Sequence, residues 1–225
     1  MYALSITIIP SLIILLFFFT SDRFKEPKST ITIIFVLGVL ICFPAGILNG
    51  FMSDNFGDAS NQNDLTNSFL GPAWTEEILK FLVLYFIVLR RSEFNEPMDG
   101  IVYGVVVSLG FATFENYDYV FRLAETWDID PAQMAIWRSY SAVPMHGLNG
   151  CIMGFYFGMY AFTSDKKYLI FSLLMPFLLH GFYNFLGHPV HLLVVIGMLA
   201  YAIVLHSNLK KLQLKKKIEN ESLKI

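Results

Sequence analysis

Long apolar runs divide this chain of 225 residues, and they limit its fold more than any other feature. The hydrocarbon core of a bilayer needs about 20 mostly apolar residues per helix, and about seven runs approach that length without the alternation of a barrel strand. Because lipid admits only helices and closed barrels, the sequence predicts an all-α fold, a polytopic membrane helix bundle of about seven transmembrane helices. The predicted spans are residues 2–19, 31–51, 74–89, 99–120, 143–162, 168–186 and 190–206.

The composition also indicates a membrane protein. Hydrophobic residues make up 55% of the chain and charged residues 15%, whereas an ordinary soluble domain carries about 25% charge. The mean hydropathy is +0.55. These values exclude a soluble globular enzyme, a disordered regulator and a nucleic-acid-binding protein. Both cysteines, Cys42 and Cys151, lie inside apolar runs, so we expect neither a disulfide framework nor a cysteine-based zinc site.

The basic residues orient the predicted bundle. Most of them fall in connections on one side, namely Arg23, Lys25, Lys28, Arg90, Arg91, Lys166, Lys167, Lys210, Lys211, Lys215, Lys216, Lys217 and Lys224. The positive-inside rule places this side in the cytoplasm, so we expect the N-terminus outside and the C-terminus in the cytoplasm. The opposite loop, residues 52–73, contains Asp54, Asp58 and Asp64 and no basic residue, as an outside loop should.

We expect residues 1–225 to form a single integral membrane domain. The first span is retained, rather than cleaved as a signal peptide, because no basic residue precedes it and no small-residue cleavage site follows it. The basic tail, residues 207–225, is expected to contact anionic lipid and not nucleic acid. The polar motifs of the predicted spans lie in a core of about residues 74–187.

Several ionisable residues lie inside the predicted spans, where insertion costs about 2.5–3.5 kcal/mol for each charge. They are Glu76, Glu77, Lys80, Glu115, His146 and His180. In the predicted orientation, spans three and five enter from outside and spans four and six leave toward it. All four spans therefore bring these residues to one level in the outer leaflet. A shared depth is unexpected for scattered structural residues, so the pattern favours one functional site.

Helical spacing adds detail to this site. Glu76 and Lys80 are i,i+4 and Glu77 and Lys80 are i,i+3, so either carboxylate can pair with the ammonium. His180 and Asn184 share a face, as do Glu115 and Tyr119.

A structural interpretation also exists for each residue taken singly. The glutamates at the start of span three would complement the helix dipole, Glu115 would pair with Lys80 or Arg138, and the histidines would be interfacial. The joint pattern of residues at one depth favours function over this interpretation.

Together these motifs resemble the PrsW-type intramembrane proteases, which are distantly similar to the CAAX prenyl-protease and bacteriocin-immunity superfamily. The resemblance covers about residues 74–184 and rests on Glu76-Glu77-x-x-Lys80, Phe114-Glu115-Asn116-x-x-Tyr119, a histidine in span five, and His180-x-x-x-Asn184. It implies an intramembrane endopeptidase in a bacterial or archaeal plasma membrane. Its substrate would be a single-pass membrane protein, such as an anti-sigma factor, cut near the extracytoplasmic face.

The preferred mechanism is hydrolysis by an activated water without a firmly predicted cofactor. Either Glu76 or Glu77, with Glu76 preferred, takes a proton from the water. His146, with Glu115 nearby, positions the water or donates to the leaving amine. His180 and Asn184 stabilise the oxyanion. Lys80 fixes the second glutamate, and Tyr119 supports Glu115.

The alternative mechanism for the same reaction uses a metal. Zn²⁺ accepts imidazole nitrogen and carboxylate oxygen, and the candidate ligands are Glu77, Glu115, His146 and His180. The PrsW-type branch that the sequence resembles is described as metallo-type, whereas its CAAX-type relatives lack a catalytic metal. The chain has no His-Glu-x-x-His helix, so the common zinc-protease spacing is absent.

Two other functional classes remain open. Intramembrane Glu and His also build the proton relays of transporters, although these residues form no path to the cytoplasmic face. A non-catalytic immunity or chaperone protein would retain the same bundle. Cleavage assays on variants of Glu76, Glu77 and His180 separate these classes from a protease.

Overall fold

The computed structural model describes residues 2–57 and 64–222, with side chains as far as residue 215. Asp58 and Lys224, which helped to orient the predicted bundle, lie outside the described residues, as do the side chains of Lys216 and Lys217. All regular structure in the described ranges is helical. The α-helices are α1 (Tyr2–Ser21), α2 (Lys28–Phe56), α3 (Trp74–Phe86), α4 (Pro97–Asp118), α5 (Ala124–Thr126), α6 (Pro131–Tyr140), α7 (Ala142–Thr163), α8 (Lys166–Leu186) and α9 (His191–Ser222).

Five of these helical segments are long and apolar enough to cross a membrane, so the chain is a polytopic helical membrane protein. They are Tyr2–Ser21, Lys28–Phe56, Pro97–Thr126, Lys166–Leu186 and His191–Lys215. The third and fifth predicted spans coincide with α3 and α7, which are not among the five. Helix α3 has only 13 residues, and glycines with His146 and Asn149 lower the hydropathy of α7.

Helix α4 is the central element of the bundle, and most of its side chains are buried. It packs against α7 through glycines on both helices. A Cβ added at Gly104 would collide with the carbonyl oxygen of Gly150, and one added at Gly154 would collide with that of Gly100. Such contacts require small residues, and they bring the two backbones unusually close. The seam fixes Glu115, near the end of α4, relative to His146 near the start of α7.

The start of α3 is set by a break in the chain. A π-helical segment, Thr66–Ala73, runs directly into α3, and Gly71 within it has non-helical angles (φ −75°, ψ −115°). The backbone N–H of Trp74 donates to the Gly71 carbonyl oxygen, and Thr75 Oγ1 lies 2.9 Å from the same oxygen. As a result, Glu76 and Glu77 occupy the first turn of α3.

The outer surface of the bundle is strongly apolar. Large hydrophobic side chains on α1, α2, α8 and α9 are exposed, among them Ile13, Ile47, Ile170 and Leu193. An exposed apolar surface of this extent is expected where helices contact lipid.

Candidate active site

Lys80 lies at the centre of a buried cluster of charged side chains. Its Nζ donates to Glu77 Oε1 at 2.8 Å and lies 3.7 Å from Glu76 Oε2. From α7, Nδ1 of His146 lies 3.1 Å from the same ammonium nitrogen. Lys80 and Glu77 are both 0% exposed, so their close hydrogen bond compensates for the water that each has lost. Of the two carboxylates that the spacing allowed, Glu77 is therefore the nearer partner.

Glu77 also connects α3 to α8. His180 Nδ1 lies 2.8 Å from Glu77 Oε1, and the rings of His146 and His180 meet edge to face with centroids 5.3 Å apart. Asn184, one turn beyond His180, donates to the Ser68 carbonyl oxygen at 3.4 Å. Its amide thus contacts the π-helical segment, whereas His180 faces the charged cluster.

Glu76 points in a different direction from Glu77. Its Oε1 accepts a hydrogen bond from Asn49 Nδ2 of α2 at 3.2 Å, and Asn49 in turn accepts one from the Thr75 hydroxyl. The side chain is 2% exposed, and its Oε2 has no hydrogen-bond partner among the described residues. A buried carboxylate oxygen without a partner is costly, so this atom is a candidate to bind a ligand or a proton.

Glu115 completes the cluster from α4. Its Oε2 accepts from Arg138 Nη2 at 2.5 Å and lies 3.0 Å from His146 Nε2. Arg138 Nε donates to Asn116 Oδ1 at 2.7 Å, and the guanidinium lies 3.7 Å from the centroid of the Tyr119 ring. The ion pair with Arg138, one of the structural alternatives for Glu115, is therefore present in the same network that contains His146.

A cleft of about 470 Å³ leads to this network between α2 and α4. Glu76 and Glu115 line it, together with Cys42, Gly46 and Asn49 of α2. A Cβ added at Gly46 would meet no atom within 4 Å, unlike the glycines of the α4–α7 seam. The absence of a side chain at Gly46 therefore contributes open space to the cleft and is not needed for close helix packing.

The donor atoms of the cluster fit a transition-metal ion. Glu76, His146 and His180 each offer one ligand atom within 4.8 Å of those of the other two, and all three residues are buried. Two histidines and one glutamate form a donor set that catalytic zinc sites use. One ring nitrogen of each histidine contacts a carboxylate, Glu115 or Glu77, as metal-binding histidines commonly do. The other nitrogen of His146 lies 3.1 Å from the Lys80 ammonium, which would have to move for a metal to bind at that atom. The structure thus groups Glu76 with the two histidines, whereas the predicted zinc set contained Glu77 and Glu115.

Sequence reasoning did not single out several polar residues of the network. Asn49 and Thr75 are uncharged, so neither stands out as an ionisable group inside an apolar run, and the motif that contains Asn116 did not predict its contact with Arg138. Their signal is a polar amide or hydroxyl inside or beside an apolar run, which also costs free energy when it has no partner. Arg138 was considered only as a structural partner of Glu115.

Comparison with known proteins confirms the resemblance. The profile of the "PrsW family intramembrane metalloprotease" matches residues 26–207. "Protease PrsW" of Geobacillus kaustophilus is 37% identical over 81% of this chain and 78% of its own length, and that of Bacillus subtilis is 38% identical over 81% of both chains. "Protease PrsW" of Clostridioides difficile is 30% identical over 98% of this chain and 92% of its own. No solved structure matches.

The profile covers most of the chain, including α2, α3, α4, α7 and α8, which supply the buried network. Each relative covers more than two thirds of the chain at 30% identity or more. The chain therefore belongs to the PrsW family of intramembrane proteases and is an enzyme.

Proposed function

We propose that this protease hydrolyses a peptide bond of a single-pass membrane protein, such as an anti-sigma factor, near the extracytoplasmic face of the membrane. The observation that carries the proposal is the buried network in which Glu76, Glu77 and Glu115 meet His146 and His180 at the end of a cleft. General acid–base groups and a water-accessible space are what peptide hydrolysis requires.

The proposed depth of the site depends on the proposed topology. We infer seven spans in the plasma membrane of a bacterium, with α7 as one further span and α3 with its preceding π-helical segment as the other. The chain would form one domain, with a core at about residues 74–187 and a tail at 207–225. With the N-terminus outside, the start of α3, the end of α4 and the end of α8 lie at the outer face. Exposed basic residues near the opposite helix ends, such as Lys25 and Lys210, support this orientation.

We further propose that Glu76, His146 and His180 hold a divalent transition metal such as Zn²⁺. When bound, such an ion supplies Lewis-acid chemistry to the scissile carbonyl. The family description and the donor set support this choice over the metal-free mechanism that the sequence alone favoured.

The other residues of the network would position and move protons. Glu77 Oε1 is held by Lys80 and His180, whereas its Oε2 is buried without a hydrogen-bond partner among the described residues. Oε2 of Glu77 is therefore the atom proposed to accept the proton of the attacking water. Glu115 would orient His146 through Nε2, and Arg138 would hold Glu115 in place. Without a metal, Oε2 of Glu76 would take the proton instead.

The cleft between α2 and α4 is the proposed route of the substrate segment. It is bounded by the exposed side chains of Phe43 and Ile47, which face the lipid, and it ends at Glu76 and Glu115. A segment in the bilayer could thus reach the carboxylates from the side, without crossing the interior of the bundle.

The test compares Glu76→Gln, Glu77→Gln and a matched control, Glu125→Gln, whose carboxylate is exposed on α5. Cleavage of a co-expressed single-pass protein should fall at least about 100-fold in the first two variants and be unchanged in the control. Metal content of the purified proteins should fall in Glu76→Gln and persist in Glu77→Gln. Cleavage that persists in both variants overturns the protease site, and an active parent without metal assigns the metal-free mechanism.

A further inference from the structure

A second group of buried acids lies at the opposite end of the bundle from the candidate active site. Asp22 and Glu26 are in the connection between α1 and α2, and Asp99 is in the first turn of α4. Their exposed fractions are 3%, 5% and 1%. We refer to Asp22, Glu26 and Asp99 as the inner acid cluster.

Hydrogen bonds satisfy only part of this cluster. Gln213 of α9 donates to Asp22 Oδ1 at 2.8 Å, and the Tyr103 hydroxyl donates to Glu26 Oε2. The backbone amide of Glu96 donates to Asp99 Oδ2 at 2.8 Å. Asp22 Oδ2 and Asp99 Oδ1 are buried and have no donor partner in the part of the chain that the structure describes. The carboxyl groups of Glu26 and Asp99 also lie within hydrogen-bond reach of each other, a contact that only a shared proton or a bound cation can make favourable.

The described side chains also leave the charge of the cluster without a neutralising partner. Among the described residues, no lysine, arginine or histidine forms an ion pair with Asp22, Glu26 or Asp99 within 4.0 Å. Burial raises the pKa of Asp22 and of Glu26, since removing a carboxylate from water disfavours its charged form. With no such partner among the described side chains, the three buried acids would be stabilised by protons or by a bound cation.

The spacing of the oxygens suits a cation. Each of the three residues offers a carboxylate oxygen within 4.8 Å of those of the other two. Ligands at about 2.1 Å from one Mg²⁺ lie up to about 4.2 Å apart, and those of a larger ion lie somewhat farther apart. A mostly apolar cavity of about 140 Å³ lies next to Gln213, the hydrogen-bond partner of Asp22, and none of the three acids lines it, so the carboxylates themselves would supply the ligands of the ion.

We propose that Asp22, Glu26 and Asp99 bind a hard divalent cation of the Mg²⁺ or Mn²⁺ class. The unpartnered oxygens of Asp22 and Asp99 are the proposed ligand atoms, because carboxylate oxygen is the donor that these ions prefer. The cation would join the α1–α2 connection to the start of α4. Through the hydrogen bond from Gln213 to Asp22, it would also hold the inner part of α9 in place.

The binding test uses Mn²⁺ as the probe and electron paramagnetic resonance as the readout, on the full chain in detergent micelles. The His180→Ala background removes one donor of the candidate active site, so a tightly held Mn²⁺ reports on the inner acid cluster. We expect one bound Mn²⁺ per chain, lost in Glu26→Gln and kept in Glu125→Gln. If the background protein holds no Mn²⁺ at millimolar concentration, the proposal is wrong and the cluster holds protons.

A stability measurement on the His180→Ala protein gives a second readout, which does not require the Glu26→Gln variant to fold. A ligand that binds only the folded state at ten times its Kd lowers the unfolding constant about elevenfold. The unfolding constant of the His180→Ala protein, measured by SDS titration in mixed micelles, should therefore be about elevenfold lower with Mg²⁺ at ten times its Kd than with chelator. Equal resistance in Mg²⁺ and in chelator contradicts the proposal.

Discussion

The two ends of α4 carry buried acids that are neutralised in opposite ways. At the end that we propose faces outward, Glu115 pairs with Arg138, and the nearby Glu77 pairs with Lys80. At the inner end, about 24 Å away along the helix at 1.5 Å per residue, Asp99 has no ion-pair partner among the described residues. The outer acids are thus held by cations of the chain itself, whereas no described side chain neutralises the inner acids, for which we propose a bound cation.

The two regions also differ in access. The outer cluster opens into a cleft of about 470 Å³ that is large enough for a peptide segment, whereas none of the three acids of the inner cluster lines the cavity of about 140 Å³ near it. Fixed charges next to a large opening suit a reaction on a macromolecule. Three buried carboxylates at close spacing suit a bound ion instead.

The largest effect is expected when Lys80 is replaced by Met. The substitution leaves Glu77 buried without its ammonium, and breaking such a pair on one side costs about 3–5 kcal/mol of stability. Unfolding by SDS in mixed micelles measures the loss. Lys167→Met is the matched control, because Lys167 pairs with Asp165 at 2.9 Å on the exposed surface and should change nothing.

The double variant Lys80→Met/Glu77→Gln should recover part of the stability, since it removes the uncompensated charge as well. If Lys80→Met is as stable as the parent, the outer acids do not depend on cations of the chain and the comparison fails.

A smaller loss is expected for Arg138→Met. Its partner Glu115 is 15% exposed and keeps the contact with His146, so we expect a loss of about 1–3 kcal/mol. The same SDS titration measures it against Arg122→Met, which removes a 2.6 Å pair with Asp118 where Arg122 is 66% exposed. Equal losses in the two variants would mean that the Arg138 pair behaves as an ordinary surface pair.

The difference in access is tested by Gly46→Leu. The new side chain fills part of the cleft, and we expect cleavage to slow at least about tenfold, equivalent to about 1.4 kcal/mol, with stability unchanged. Gly197→Leu is the control, because a Cβ there also meets no atom within 4 Å but lies on α9, away from the cleft. Equal cleavage rates in the two variants contradict the proposed route.

The smallest effect is expected for Asp22→Asn measured in chelator. Asn keeps an oxygen that can accept from Gln213 and removes one uncompensated charge, so stability should be unchanged or up to about 1 kcal/mol higher. Thermal unfolding in chelator checks this result. A clear loss of stability would show that a cation of the chain neutralises Asp22, and the contrast between the two ends would disappear.

Much of the helical pattern was predictable, because apolar runs of spanning length leave few alternatives in lipid. The predicted spans coincide with helices, although α2 extends to Phe56 and α9 to Ser222, beyond the apolar runs on which the predictions rested. Polar and charged residues that follow an apolar run can continue its helix, so the end of the run does not mark the end of the helix. The number of spans was harder to predict. Helix α3 is short, and the glycines and polar residues of the buried helix α7 lower its hydropathy below that of the five candidate spans.

The side chains of the site were predictable as a set because charge inside a span is costly. The structure brings Glu76, Glu77, Lys80, Glu115, His146 and His180 into one network. Their pairing was not predictable, because i,i+3 and i,i+4 spacing allows Lys80 either glutamate. The inner acid cluster was also missed, since its acids lie at the ends of apolar runs, where charges are ordinary, and only tertiary packing buries them.

The glycine seam between α4 and α7 has a mechanical consequence. Two backbones that touch along Gly100, Gly104, Gly150 and Gly154 cannot slide or part without losing many contacts at once. The two helices form a rigid pair that holds Glu115 and His146 at a constant separation. For the proposed substrate route, we therefore expect movement in α2 and in the segment before α3, where Gly71 interrupts the helix and Asn49 donates a hydrogen bond to Glu76.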